Sequence, residues 1–330
     1  MRSRAGHGFW AITAVLAASG CGKIEVRMGT RVSLPTLQIA SMQLAQYKHP
    51  GIGPGEKSSL VATFTEPDGT VLVTEGKGGG KVLWSDLTVT ATVVSVSKKG
   101  VIKLPSDPRT SYGKIGHVSV TVPSHPTLHA ELDVPLRYNY AFAASFSGAD
   151  GSKGLDGNDG TDGAMGTSGS MDPDNPSPGG DGGNGSDGTA GSNGGDGSDG
   201  PSVKVDVTVQ SGPQTLLQIG VISGTDKERY YLVDPNGGSL TVSSMGGSGG
   251  KGGSGGRGGR GGMGGSGTPD GNSGRDGSNG SDGLDGQNGR GGPITVTYDP
   301  KAQPYLNALH LSNPGGPKPT LVEQAVSPLW

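Results

Sequence analysis

Between Ile24 and Phe146 apolar residues alternate with polar ones in short runs, the period-two pattern of half-buried strands. The stretch "SLVATFTEPDGTVLVTEG" sets two β-rich runs on either side of Pro67-Asp68-Gly69. Proline fixes one turn dihedral and glycine takes a positive one, so a hairpin is predicted there. The alternation continues through "KVLWSDLTVTATVVSVS", "GHVSVTV", "AELDVPLRY" and "YAFAASF". A second set follows in "SVKVDVTVQ", "LLQIGVIS", "RYYLV", "SLTVSS" and "PITVTYD". No stretch keeps a helical period for three turns, so the chain is predicted to be all-β. The expected organisation is a β domain over 36–147, a second β region over 201–245 and 293–312, and a C-terminal tail over 313–330.

Two segments with almost no apolar residues, 148–200 and 246–292, interrupt this pattern, and each lies between predicted strands. In the first, glycine recurs every third residue from Gly148 to Gly169, the register breaks over "SMDPDNPSP", and the period resumes from Gly179 to Gly200. In the second it runs from Gly246 to Gly267, breaks at "TPD", and resumes from Gly271 to Gly292. Each of the four runs holds eight in-frame glycines. Unperiodic glycine-rich sequence stays disordered, because glycine loses more backbone entropy on ordering than any other residue. Four equal periodic runs are not what a disordered spacer produces. Three residues per turn is the period of the polyproline-II helix, which has no internal hydrogen bonds and must satisfy its backbone elsewhere. A glycine at every third position leaves one ridge bare, so another helix can approach within bonding distance. Each run would be about 65 Å long at ~3.1 Å per residue.

In its strand pattern the first β domain is similar to the immunoglobulin-like sandwiches that exported bacterial proteins use as stalks and adhesive modules. The glycine runs resemble two families. In bacterial collagen-like proteins three parallel chains wind together, which implies a trimer. In the polyglycine-II bundles of springtail antifreeze proteins and some phage tail-fibre adhesins one chain folds back on itself, which implies a monomer. Collagen gains from proline at X and Y, whereas no proline lies inside the four runs; Pro173, Pro176, Pro178 and Pro269 sit in the breaks. The breaks therefore read as turns, and each insertion as an antiparallel hairpin of two arms. Arm 246–267 carries Lys251, Arg257 and Arg260 and no acid, while arm 179–200 carries Asp181, Asp187, Asp196 and Asp199 and no base. Arm 148–169 sets Asp150, Asp156, Asp159 and Asp162 against Lys153. Intrachain packing favours a basic arm among acidic ones, although exposed pairs contribute little individually. The basic arm is also Gly-Gly-X where the others are mostly Gly-X-Y. Its two bare ridges make it the expected inner arm.

The N-terminus changes the setting. Arg2 and Arg4, the apolar run Phe9 to Ala18 and then "ASGC" form an export signal too short to span a bilayer, expected to be removed as residues 1–20. Cys21, the only cysteine, resembles the lipidated cysteine of the bacterial lipobox, although Ala18 stands where that family usually has leucine. The resemblance implies a lipid on Cys21, an anchor and linker over 21–35, and membrane attachment without a spanning helix. Gly22 is not the Asp that retains many lipoproteins in the inner membrane, so the outer membrane or cell surface is expected. A single cysteine excludes an intrachain disulfide. Loss of residues 1–20 removes two arginines and no acid, taking the formal charge from −3 to −5. That acidity argues against a nucleic-acid partner.

Glycine-rich sequence generates false motifs. "GKGGGKV" lacks the spacing and hydroxyl residue of a phosphate loop. "GGNGSDGTA" and "GGDGSDGPS" resemble calcium-binding nonapeptides, but they begin 12 residues apart and carry Thr189 and Pro201 where that family has an aliphatic residue. "GGRGGRGG" resembles RNA-binding segments, a role at odds with an exported acidic chain. His125 and His129 are separated by Pro126 in a strand-like context and do not form a helical metal face. No catalytic grouping stands out, and no cofactor or metal is expected. The candidate contact site is the turn containing Asp172, Asp174 and Asn175, displayed at the far end of a long arm. The expected function is a lipid-anchored envelope protein whose glycine bundle is a scaffold or display module for adhesion, contacting an extracellular protein or glycan. The alternatives are an ice- or polysaccharide-binding protein using a bundle face, and a collagen-like trimeric stalk.

Overall fold

The computed structural model describes residues 30–330 apart from Ser211, Pro213 and Thr225, so the export signal and Cys21 lie outside the described residues. Regular secondary structure among the described residues is mostly β-strand with little helix, as predicted, while 148–200 and 246–292 belong to no strand. The first part contains β1 (Ser41–Gln46), β2 (Lys57–Thr65), β3 (Val71–Val73), β4 (Thr88–Thr92), β5 (Ser95–Val96), β6 (Val101–Lys103), β7 (Gly116–Val122) and β8 (His125–Val134). They form two antiparallel sheets, β1-β2-β6-β5 with β3 added to β2, and β4-β7-β8. The predicted hairpin joins β2 to β3, with Gly69 at φ +88°. Alternation places Leu44, Leu60, Phe64 and Ile102 of one sheet in a common core with Val118, Val120, Val122 and Val134 of the other.

The second part contains β9 (Ala141–Ser147), β10 (Val203–Gln210), β11 (Leu216–Ser223), β12 (Arg229–Val233), β13 (Ser239–Met245), β14 (Ile294–Tyr298), β15 (Leu309–Ser312) and β16 (Thr320–Glu323). A three-stranded sheet, β15-β13-β9, shares one core with a five-stranded sheet, β12-β11-β10-β14-β16. Strand β9, which the sequence pattern groups with the first domain, contributes Phe142, Ala144 and Phe146 to this second core. Strand β16 lies in what the pattern reads as a tail. Its residues are all exposed, so no alternation marks it, and it is held by parallel pairing with β14.

The topology of this second part positions the glycine segments. β9 and β13 are parallel neighbours, as are β13 and β15. β10, β14 and β16 are parallel neighbours in the other sheet. Three times in succession the chain therefore climbs a strand of the small sheet, leaves the same end of the structure, and returns into the large one. The first two excursions are the glycine segments, and the third is only Asn313 to Pro319.

Candidate functional site: the glycine arms and their distal turns

Arm 1 (148–169) and arm 3 (246–267) continue β9 and β13, and the parallel pairing of those strands carries on into them. Gly148 N–H donates to the Met245 carbonyl at 2.9 Å and Gly151 to Ser248 at 2.8 Å, and each in-frame glycine repeats the bond up to Gly169 on Ser266. Arms 2 (179–200) and 4 (271–292) pair in the same way, from Gly179 on Pro269 to Gly200 on Arg290. Antiparallel rows cross-link these two pairs. Arm 2 donates to arm 1 from Gly180 on Thr167 to Ser198 on Ala149. Arm 3 donates to arm 2 from Gly247 on Ser198 to Gly265 on Gly180, and arm 4 to arm 3 from Gly271 on Gly265 to Gly289 on Gly247. Among the described residues arms 1 and 4 share no bond. Arms 2 and 3 thus lie at the centre, each bonded to the other three.

Bare ridges make this possible. A Cβ on Gly256 would sit far inside the 3.0 Å limit from the Asn158 carbonyl, and a Cβ on Gly188 equally close to the Gly256 carbonyl. In arm 2 one row is roomier. Gly183 would place a Cβ 3.1 Å from Ala164 N, and elsewhere in that row Ser186, Thr189 and Ser192 accept the N–H groups of Thr161, Asn158 and Leu155 at 2.7 to 2.8 Å.

The carboxylates have a role that charge counting missed. Asp150, Asp156, Asp159 and Asp162 of arm 1 accept the backbone N–H groups of Ser248, Ser254, Arg257 and Arg260 at 2.7 to 2.8 Å. Asp276, Asn279, Asp282, Asp285 and Asn288 of arm 4 do the same for Gly261, Gly258, Gly255, Gly252 and Gly249. Arm 2 bonds arm 4 through Asp181, Asn184, Asp187, Asn193, Asp196 and Asp199. Among the described residues Lys251, Arg257 and Arg260 form no ion pair with these acids; Lys153 pairs with Asp156 at 3.5 Å. The Ser254 N–H, and secondarily Lys153, hold the Asp156 carboxyl below its ordinary value. Asn substitutes freely for Asp because the requirement is an acceptor oxygen.

Both connecting turns lie at the end of the arms away from the sheets and are tied together: Thr268 N–H donates to the Ser177 carbonyl at 3.0 Å. Asp172 is partly structural, its Oδ1 accepting the Asp174 N–H at 3.0 Å while its carbonyl accepts that of Asn175 at 3.1 Å. The side chains of Asp174 and Asn175 are exposed, and among the described residues no hydrogen bond engages them. Toward the same end Met165, Met171 and Met263 are 65–73% exposed, a group that period counting alone does not flag. Met165 takes the position that Asp162 holds one triplet earlier, so Met263 N–H has no carboxylate across from it.

Elsewhere, His125 bonds the Leu37 carbonyl through Nε2 at 2.9 Å and His117 bonds Asp133 at 2.8 Å. Among the described residues no group of three His, Cys, Asp or Glu could hold a metal ion, and no helix is long and apolar enough to cross a membrane. Comparison with protein-family models, curated proteins and solved structures returns no match, which leaves the geometry of the arms and their distal end as the ground for function.

Proposed function

We propose that the chain is a non-enzymatic, lipid-anchored protein of the bacterial cell envelope, at the outer membrane or cell surface. In this reading its arms are a polyglycine-II-type bundle within one chain, a rigid scaffold that displays the distal turns for adhesion to a protein or glycan. An immunoglobulin-like sandwich in the first β domain and lipid on Cys21 complete the proposal. The observation that carries it is the unbroken passage of the strand ladders β9/β13 and β10/β14 into the arm ladders, at Gly148 on Met245 and Gly200 on Arg290. A rod rooted in this way holds its end at a fixed distance and orientation. The bonds joining the arms run within one chain, which supports a monomer over a collagen-type trimer.

The test combines Asp174→Ala and Asn175→Ala in full-length protein displayed on cells. Adhesion is expected to fall while surface level and thermal melting stay unchanged; undiminished adhesion would remove the turn from the contact. Labelled palmitate on the wild type but not on Cys21→Ser tests the anchor. A second reading, ice or polysaccharide binding, is favoured by the straight row of Ser186, Thr189 and Ser192, whose hydroxyls are fixed by arm 1 N–H groups. Ice-recrystallisation and glycan-array assays separate it from the first.

A further inference from the structure

In a threefold extended helix the N–H groups point in three directions, one for each row of every third residue. In arm 4 the row from Gly271 to Gly289 donates to arm 3, and the row from Asn272 to Arg290, Ser281 apart, donates to side chains of arm 2. The third row is Ser273, Asp276, Asn279, Asp282, Asp285, Asn288 and Gly291; its side chains accept from arm 3, but among the described residues its N–H groups bond neither arm. Its last member is occupied: Gly291 N–H donates to the Pro314 carbonyl at 2.7 Å. The other six have no partner among the described residues.

Pro314 belongs to the third excursion, the short one. Asn313 pins it, donating through Nδ2 to the Gly292 carbonyl at 3.0 Å and to the Pro317 carbonyl at 2.6 Å. Gly316 lies so close to the Gly291 carbonyl that a Cβ there would fall well inside 3.0 Å. At the base of the arms this loop sits where a further arm would begin, and it leaves the rest of the row open.

We propose that the open row of arm 4 is a docking edge for an extended segment of a partner protein, with glycine at every third position and Lys or Arg between. Carbonyls of the guest accept the N–H groups of Asp276, Asn279, Asp282 and Asp285 as Pro314 accepts that of Gly291. Only a bare ridge approaches so closely, and a preformed polyproline-II segment loses little entropy on binding. Charge favours such a guest: Asp276, Asp282 and Asp285 lie in the open row itself, each holding an arm 3 N–H through Oδ1 with its other oxygen unbonded among the described residues, and they outnumber Arg275 and Arg290 of the same arm. A second copy of this chain would present arm 1 with Asp150, Asp156, Asp159 and Asp162, so like charges oppose stacking of copies. The inference goes beyond the adhesion reading and depends on neither the lipid nor the distal turns.

The probe is a fluorescent peptide with the sequence of Gly246 to Gly267, titrated into the full chain and followed by anisotropy. Saturable binding is expected, with a shuffled peptide of the same composition at least roughly tenfold weaker. Asp282→Pro with Asp285→Pro removes two N–H groups and keeps the polyproline-II φ, whereas Asp282→Ala with Asp285→Ala removes the same carboxylates and keeps the N–H groups. The proline pair should bind roughly tenfold more weakly than the alanine pair. Absence of binding, equal affinity for the shuffled peptide, or equal affinity of the two variant pairs would overturn the proposal. If the proline pair loses its fold by circular dichroism, amide exchange in the wild type decides. Slowing at Asp276 to Asn288 with peptide upholds the edge, and unchanged exchange rejects it.

Discussion

The backbone N–H of Arg257 donates to the Asp159 carboxylate at 2.7 Å, while the Arg257 side chain forms no ion pair with it. The attraction between these two arms therefore passes through main chain and acceptor oxygen. Asp159→Ala should cost about 1 kcal/mol, below the ~1.5–3 kcal/mol of a bond to a charged group because this carboxylate is exposed to water. Asp159→Asn should be close to neutral, because Asn184, Asn193, Asn279 and Asn288 fill equivalent places. Arg257→Ala should change little. Chemical denaturation of the three variants ranks them, and an arginine variant as damaged as the alanine variant at Asp159 would restore the ion-pair account.

Two glycines of the arms should behave oppositely. Gly256→Ala drives a methyl into the Asn158 carbonyl and is expected to cost about 3 kcal/mol or more. Gly183→Ser adds a side chain in the row that already holds Ser186, Thr189 and Ser192, and its Cβ meets Ala164 N at 3.1 Å. It should stay within about 1 kcal/mol of the wild type. Thermal melts that fall equally for both would contradict the arrangement of rows.

Acid should loosen the arms. The folded value of Asp156 is depressed, so its stabilising share is fully present above the unfolded value of 3.8 and is lost as pH falls through the lower folded value. Asp156→Asn should flatten that part of the stability curve below about pH 4. Asp206 has the opposite sign: burial first, and then the Glu228 charge, push its carboxyl up. It is a liability at neutral pH that is relieved as pH falls through its raised value, so Asp206→Asn should gain more at pH 7 than at pH 3. Melting temperatures against pH check both signs.

Length should be adjustable only in whole triplets. Joint deletion of 157–159, 188–190, 254–256 and 278–280 removes one level from all four arms and keeps every row in register. Small-angle scattering should show a molecule shorter by about 9 Å with near-native melting. Deletion of Thr189 alone shifts one arm by a single residue and should expose both excursions to protease. Equal tolerance of the two deletions would show that the register does not matter.

The period of three, the equal runs, the turns at the prolines and the central place of Gly246 to Gly267 are all legible in the residues, because steric need for a bare ridge leaves a periodic mark. Gly179-Gly180, Gly182-Gly183 and Gly194-Gly195 were the corresponding mark for arm 2, which shares the centre, but its acids drew attention to charge. That arms 1 and 3 run parallel is not legible, since it follows from the pairing of Ser147 with Met245 at the strand ends. The destination of each Asp was hidden too: a carboxylate that accepts an N–H and one that faces a guanidinium look the same in a composition. The nine-residue 3-10 helix from Pro300 to Ala308 left no apolar period to detect. Of the candidate contact residues, Asp174 and Asn175 are free to face a partner, whereas Asp172 is engaged in shaping its own turn.

The rows of bonds between arms lie across the arm axes, from Gly148 on Met245 at the base to Gly169 on Ser266 near the end. A pull on the distal turns away from the sheets loads these rows in shear, so a row must yield collectively instead of opening bond by bond. The force then enters β9, β13, β10 and β14 along their own length. On the proposed surface role, such a tether resists tension most strongly along the direction in which it would be pulled.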